Sequence, residues 1–138
     1  MVKAIEYRSI ILLLFIIAAP FSSVSCISRS AVPEFDYNLI QQAFKQEDIS
    51  PLILQKRANS ITFTVAFKGG GKDYDKARLE SYGNTERIVL YNTSGALENM
   101  WVIFRMTGSI FGLEPGHYNL QIKDSNDTLI AENTFTLP

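Results

Sequence analysis

The chain has 138 residues with 13 basic and 14 acidic side chains, a formal charge of −1, and 46% hydrophobic content. That length holds one domain at most beyond any targeting segment. The charge balance offers no basic stripe for nucleic acid, and it is not acidic enough for a disordered chain.

Residues 1–8 carry Lys3 and Arg8 against Glu6, and residues 10–21 form an uncharged apolar run. A helix of that run rises about 18 Å, against roughly 30 Å of hydrocarbon core. Residues 1–25 are therefore expected to be a secretory signal peptide, with the small residues Ser22, Ser23 and Ser25 ahead of the cut. An uncleaved signal anchor that recruits residues 22–25 to gain length is the structural alternative. The mature part, from Cys26 onward, loses Lys3, Arg8 and Glu6, leaving 11 of the 13 basic and 13 of the 14 acidic residues, about −2.

Cys26 is the only cysteine, so no intramolecular disulfide can form. An apolar run, small residues and one cysteine together resemble the lipobox of bacterial lipoproteins. Val24 and Ser25 suit that motif, whereas Ser23 stands where an aliphatic residue is usual. The resemblance implies a diacylglycerol group on the Cys26 thiol, cleavage just before it and acylation of the new amine. Acyl chains, at about 0.8 kcal/mol per buried methylene, would hold the protein on a membrane. Ile27 is not the aspartate that often retains such proteins in the inner membrane, so the outer membrane is expected in a Gram-negative host. Ordinary secretion after Ser25 is the other reading, but it leaves a free thiol in an oxidising compartment.

Residues 26–36 are polar with one proline and read as a tether from the lipidated cysteine, at most about 35 Å over ten residues. Residues 37–47 are expected to form a short amphipathic helix. Asn38 would cap it with Gln41 three residues on, Leu39, Ile40, Ala43 and Phe44 would share a face, and Pro51 follows. At about three turns it could not stand alone and would cover one end of a sheet.

From residue 48 the period changes to two. Ile61, Phe63, Val65 and Phe67 alternate with Thr62, Thr64 and Ala66, the pattern of a half-buried antiparallel strand ended by glycines. Segments 86–91, 100–108, 117–124 and 127–138 continue in this way, with weaker candidates at 51–55 and 77–82. Short strands at such spacing indicate an all-β sandwich over residues 48–138.

Leu113, Pro115 and Tyr118, followed by Leu120 and Ile122, resemble the tyrosine corner of fibronectin type III and related immunoglobulin-like sandwiches. The resemblance implies an immunoglobulin-like antiparallel β-sandwich, with the Tyr118 hydroxyl bonded to backbone just upstream. Phe67 stands roughly where that family places its core tryptophan.

Catalytic chemistry is thin. His117 is the only histidine and Cys26 the only cysteine, which leaves too few ligands for a His/Cys zinc cluster; no Ser-His-Asp set is read, and beside Gly116 His117 reads as a turn residue. Gly69, Gly70, Gly71 and Lys72 lack phosphate-loop spacing. Asp73, Asp75 and Glu80, or Asp124, Asn126 and Asp127, offer oxygens but not the calcium-loop pattern; the second group reads as an Asx-type turn. Trp101 and Phe104 sit in an apolar run and are expected in the core, leaving Tyr74 and Tyr82 as the candidate exposed binding aromatics. No catalytic residue, metal or cofactor is assigned. The expected function is that of a non-catalytic envelope lipoprotein. It would be bound to the membrane through acyl chains on Cys26 and would present a sandwich for protein recognition or assembly. The alternative is a carbohydrate-binding module. Exposed tyrosines in a groove would favour the second, an open sheet edge the first.

Overall fold

The computed structural model describes residues 32–70, 74–94 and 101–138. They belong to the compact unit Ala31–Pro138, apart from the unit Met1–Ser30. The expected signal peptide and Cys26 lie outside the described residues, as does the tether up to residue 31.

Eight strands run in chain order: β1 (Glu34–Ala43), β2 (Ser50–Arg57), β3 (Ser60–Gly70), β4 (Lys76–Tyr82), β5 (Thr85–Tyr91), β6 (Trp101–Phe111), β7 (Gly116–Asp124) and β8 (Leu129–Leu137). They form two four-stranded sheets. Sheet one has the order β1-β6-β3-β2, and sheet two the order β4-β5-β7-β8. The expected β-sandwich is present, and its strands begin earlier than expected.

The reason lies in residues 34–43. Phe35, Tyr37 and Leu39 are half-buried and alternate with exposed Glu34, Asp36 and Asn38, which is the period of a strand. Starting a helix at residue 37 cuts that alternation in half and leaves the pairs Leu39–Ile40 and Ala43–Phe44, which imitate a helical face. Ten registered pairs with β6, from Glu34 opposite Phe111 to Ala43 opposite Val102, outcompete a three-turn helix that nothing nucleates. The sole helical turn among the described residues is the 3-10 piece Gln46–Asp48. Residues 34–36, expected in the tether, are thus part of the sheet.

The inward faces meet in one core. β3 supplies Ile61, Phe63, Val65 and Phe67, β6 supplies Val102, Phe104, Met106 and Ile110, and sheet two answers with Ile88, Leu90, Leu120, Ile122, Phe135 and Leu137. At about 1.5–3 kcal/mol for each fully buried large apolar side chain, this layer outweighs any single polar contact. Phe67, at the position compared with a core tryptophan, stacks on Phe104 at 5.7 Å.

Gly108 shows how tightly β6 sits between its neighbours. A Cβ there would come within 2.6 Å of both the Asp36 carbonyl oxygen and the Phe63 ring. Only glycine lets the ring lie across the strand.

Sheet one is antiparallel throughout. Sheet two holds one parallel pair, β5 with β7, from Thr85 opposite Asn119 to Leu90 opposite Asp124. The wholly antiparallel arrangement implied by the immunoglobulin resemblance therefore fails at that junction. The physical cause is the β4–β5 hairpin, closed at Gly83 with φ 58°. It places β5 inside and β4 at the edge, so β5 and β7 run the same way. The Tyr118 hydroxyl donates to the Glu114 carbonyl at 2.9 Å, Leu113 is buried, and the Leu113 amide donates to the Asn59 carbonyl at 3.0 Å. Pro115 stays on the surface. Together these bonds fix the passage from sheet one to sheet two.

Candidate functional site

The two outward faces carry different chemistry, and the difference locates the site. Register sets out the outer face of sheet one in rows that cross the strands. Asp36, Ser109, Thr62 and Gln55 form one row, and Asn38, Thr107, Thr64 and Ile53 the next. Between these rows lies a furrow of about 380 Å³, whose lining adds the backbone of Tyr37, Gly108 and Phe63. Small hydroxyls line it because a flat strand face tolerates β-branched threonine well. Thr62 reaches the Gln55 carbonyl at 3.5 Å. Among the described residues, Asp36, Asn38, Thr64, Thr107 and Ser109 make no side-chain hydrogen bond with one another or with the rest of the domain.

One row further stand Ile40, Arg105 and Ala66, then Gln42, Ile103 and Lys68. β1 and β2 occupy opposite edges of the sheet, so residues 44–49 must cross the ends of β6 and β3. Ala66 and Ile103 lie under that crossing and are buried although they face away from the core. Trp101, expected in the core, opens β6 on this outer side and is 59% exposed. The Lys68 ammonium sits 3.7 Å from the Trp101 ring centroid and 5.1 Å from that of Phe44, a cation–π arrangement. The apolar run at the start of β6 does place Val102 and Phe104 in the core, whereas Trp101, on the same outward face as Ile103, is the first residue of the strand and stays exposed.

Charges on this face stand alone. Among the described residues, Glu34, Asp36 and Arg105 have no ion pair. The Gln42 side-chain nitrogen is buried without an acceptor.

On the outer face of sheet two the charges are paired, although among the described residues Arg87 Nε and Asn119 Oδ1 are buried without a partner. Arg78 donates to Glu80 at 2.9 Å, the Tyr82 hydroxyl donates to the same carboxylate at 3.0 Å, and Arg87 lies over the Tyr82 ring at 4.9 Å. Lys123 holds Asp127 at 3.0 Å. The Arg78 hydrogen bond keeps the Glu80 carboxyl below its usual range, and the Lys123 bond does the same for Asp127. Asp75 is held down by the Thr93 hydroxyl and amide.

The sequence-derived candidates separate on this map. Tyr74 is not a surface aromatic: it packs edge-on against Phe104 at 5.1 Å and near Phe67 at 6.2 Å. Tyr82 is exposed, but Glu80 and Arg87 hold it, and it lies on the other sheet from Trp101. Neither Tyr74 nor Tyr82 lines the furrow. His117 bonds Thr136 through Nδ1 at 2.7 Å on an exposed strand position, not in a turn, because β7 already starts at Gly116. The Asp124 carboxylate accepts the Asn126 and Thr128 amides, each at 2.9 Å, and Asp127 takes a φ of 64°. That is a self-contained Asx-type turn. Among the described residues no group of three or more His, Cys, Asp or Glu side chains could hold a metal.

The edges complete the site. β2 is interrupted by Pro51 and an irregular register between Ser50 and Ile53, and its Leu52 carbonyl accepts the Asn133 amide of β8 at 2.9 Å. β8 carries its own register shift. β4 bears Lys76 and Arg78, and its Ala77 amide donates to the Tyr37 hydroxyl at 3.0 Å. β1 has none of these guards: ten residues, no proline, lysine or arginine, and an unbroken register. Edge strands of natural proteins are normally blunted by such devices. Signals for this edge existed in the alternation of residues 34–39, but they fell where a tether and a helix were expected.

No protein-family model, curated protein or solved structure matches the chain.

Proposed function

We propose that the protein is a non-catalytic lipoprotein of the cell envelope, held to a membrane by acyl chains on Cys26. Its sandwich serves protein recognition or assembly at the membrane surface, the outer membrane in a Gram-negative host. The observation that supports assembly is the β1 edge, a ten-residue strand without proline, lysine or arginine. β1 also begins only eight residues after Cys26, so the tether is at most about 28 Å long and keeps this edge near the bilayer. The likeness to immunoglobulin-like sandwiches is kept for the crossover at Tyr118 and for the antiparallel sheet one. The parallel β5–β7 pair sets the rest apart.

The address is tested by the intact mass of the mature protein extracted from native membranes. A chain that begins at Cys26 and carries diacylglyceryl and acyl mass is the expected result. A bare thiol, or a start elsewhere, overturns it.

Carbohydrate binding is the second reading, favoured by the hydroxyl-lined furrow and the exposed Trp101. Because Trp101 is the only tryptophan, its fluorescence reports binding at that end of the face directly. A saturable change on titration with oligosaccharides supports this reading. A flat response across neutral and acidic glycans removes it.

A further inference from the structure

A sheet face becomes a trough where a band of short side chains runs between taller ones. On sheet one that band is the pair of rows Asp36–Ser109–Thr62 and Asn38–Thr107–Thr64. The next row on one side holds Glu34 and Phe111, and the next on the other holds Ile40 and Arg105. The furrow therefore crosses β1, β6 and β3, a span of two strand spacings or about 9.5 Å, with about 6.7 Å between its two rows. Its volume of about 380 Å³ falls within the range of about 300–1,000 Å³ common to small-molecule sites.

The floor is built for hydroxyl groups. Thr64, Thr107 and Ser109 each present a donor and two lone pairs, Asn38 presents both kinds of group, and Asp36 presents acceptors only. None of these five side chains is bonded within the described residues. Asp36 is the sole charge among the lining residues, and no cation among the described residues offsets it. An anionic ligand would meet that carboxylate directly, whereas an uncharged polyol would donate to it.

We infer that the furrow binds a neutral saccharide, with Asp36 and Asn38 holding neighbouring ring hydroxyls and Phe111 forming the apolar wall. This rests on the carbohydrate reading above and names its site and class of sugar. A pyranose carries adjacent hydroxyls, each a donor and an acceptor, around a ring whose C–H groups are apolar. The hydroxyls match the unbonded floor, and the C–H groups need an aromatic surface. Phe111 supplies it, being 43% exposed and two residues beyond Ser109 on the same face of β6. Trp101 serves another place. It lies six residues from Thr107 along β6, about 20 Å, and its ring already carries the Lys68 ammonium at 3.7 Å.

The test uses the full mature chain, isotope-labelled, in detergent micelles. It is titrated with hexasaccharides of glucose, mannose, galactose, N-acetylglucosamine and galacturonic acid, and amide shifts are followed by NMR. A neutral hexasaccharide is expected to shift Asn38, Thr64 and Thr107, and galacturonate to bind about tenfold more weakly. Thr107→Val should lower the neutral affinity about threefold and Asp36→Asn about tenfold. Asp36→Asn should also close the gap to galacturonate, which a merely structural role would not do. Phe111→Ala should lower the affinity about fivefold, Phe111→Tyr should restore it, and Trp101→Phe should change nothing. Shifts confined to the Trp101 end, or an affinity indifferent to Thr107→Val and Phe111→Ala, overturn the furrow and leave the carbohydrate reading standing. A preference for galacturonate overturns the neutral class. Silence from every saccharide overturns the inference and the carbohydrate reading together.

Discussion

The two outer faces are built from strands of similar length, yet among the described residues ion pairs link the charges of one and not those of the other. On sheet two, Arg78, Glu80, Tyr82, Arg87, Lys123 and Asp127 hold one another. On sheet one, Asp36 and Arg105 lie four residues out of register, and among the described residues Thr64, Thr107 and Ser109 make no side-chain hydrogen bond. Charges already paired within the chain have little to gain from a partner. A partner that bonds an unpaired charge gains about 1.5–3 kcal/mol in general, and one that bonds a neutral hydroxyl about 0.5–1.5 kcal/mol. On both sides of the sandwich a side chain ties the two sheets together, Asn133 to Leu52 and Tyr37 to Ala77.

The strongest way to break the contrast is to remove the platform under the furrow. Gly108→Val puts a branched side chain where even a Cβ meets carbonyl oxygen and aromatic carbon at 2.6 Å. We expect a loss of about 3 kcal/mol, read as a lower urea midpoint, with β1 losing amide protection first. Equal loss of protection in β1 and β8 would show that Gly108 supports the whole core and not the open face in particular.

The next two changes act on the ties. Tyr118→Phe removes the hydroxyl bonded to Glu114 and should cost about 1–1.5 kcal/mol. The stack of residue 118 on Phe135, now at 5.2 Å, should survive, so near-ultraviolet circular dichroism should change little. Tyr37→Phe leaves the Ala77 amide without its acceptor and should cost about 1 kcal/mol. Here the effect should be local. Hydrogen exchange should quicken at Ala77 on β4 and leave Leu120 on β7 untouched. A uniform increase would mean that the β1–β4 side opens only with global unfolding.

What could be read from the sequence follows how local each signal is. Ile61 to Phe67 alternate without interruption, and Leu113, Pro115 and Tyr118 form a motif within six residues; both were legible because the partners lie close by or repeat at a fixed period. β1 was not, since its alternation is short and a helical pattern overlaps it at Leu39, Ile40, Ala43 and Phe44. Only the pairing with β6, some 60 residues later, decides between them. Trp101 was misjudged because four consecutive apolar residues do not reveal which is the first of a strand. The parallel β5–β7 pair and the Asn133–Leu52 bond, 81 residues apart in sequence, leave no local trace at all. The open face follows the same rule. Its residues are ordinary in sequence, and their lack of partners is a property of the register.

Acid sharpens the comparison with the smallest effect. Asp75, Glu80 and Asp127 all have carboxyl groups held below their usual values of 3.8, 4.5 and 3.8, chiefly by the bonds from Thr93, Arg78 and Lys123. A depressed value in the folded chain means that the ionised form is favoured there. The stabilisation is therefore complete above the ordinary carboxylate range and disappears as pH falls through it and through the lowered values. Asp75 and Asp127 are open to solvent, so each contribution is small and is screened by salt. Thermal unfolding between pH 7 and pH 2.5 should show a modest destabilisation that Lys123→Met and Arg78→Met each reduce, because those variants remove the cations that favour ionisation. Arg105→Met should leave this slope unchanged, for Arg105 neutralises no carboxylate of its own chain. A reduction as large as that of Lys123→Met would place an internal partner beside Arg105 and erase the difference between the two faces.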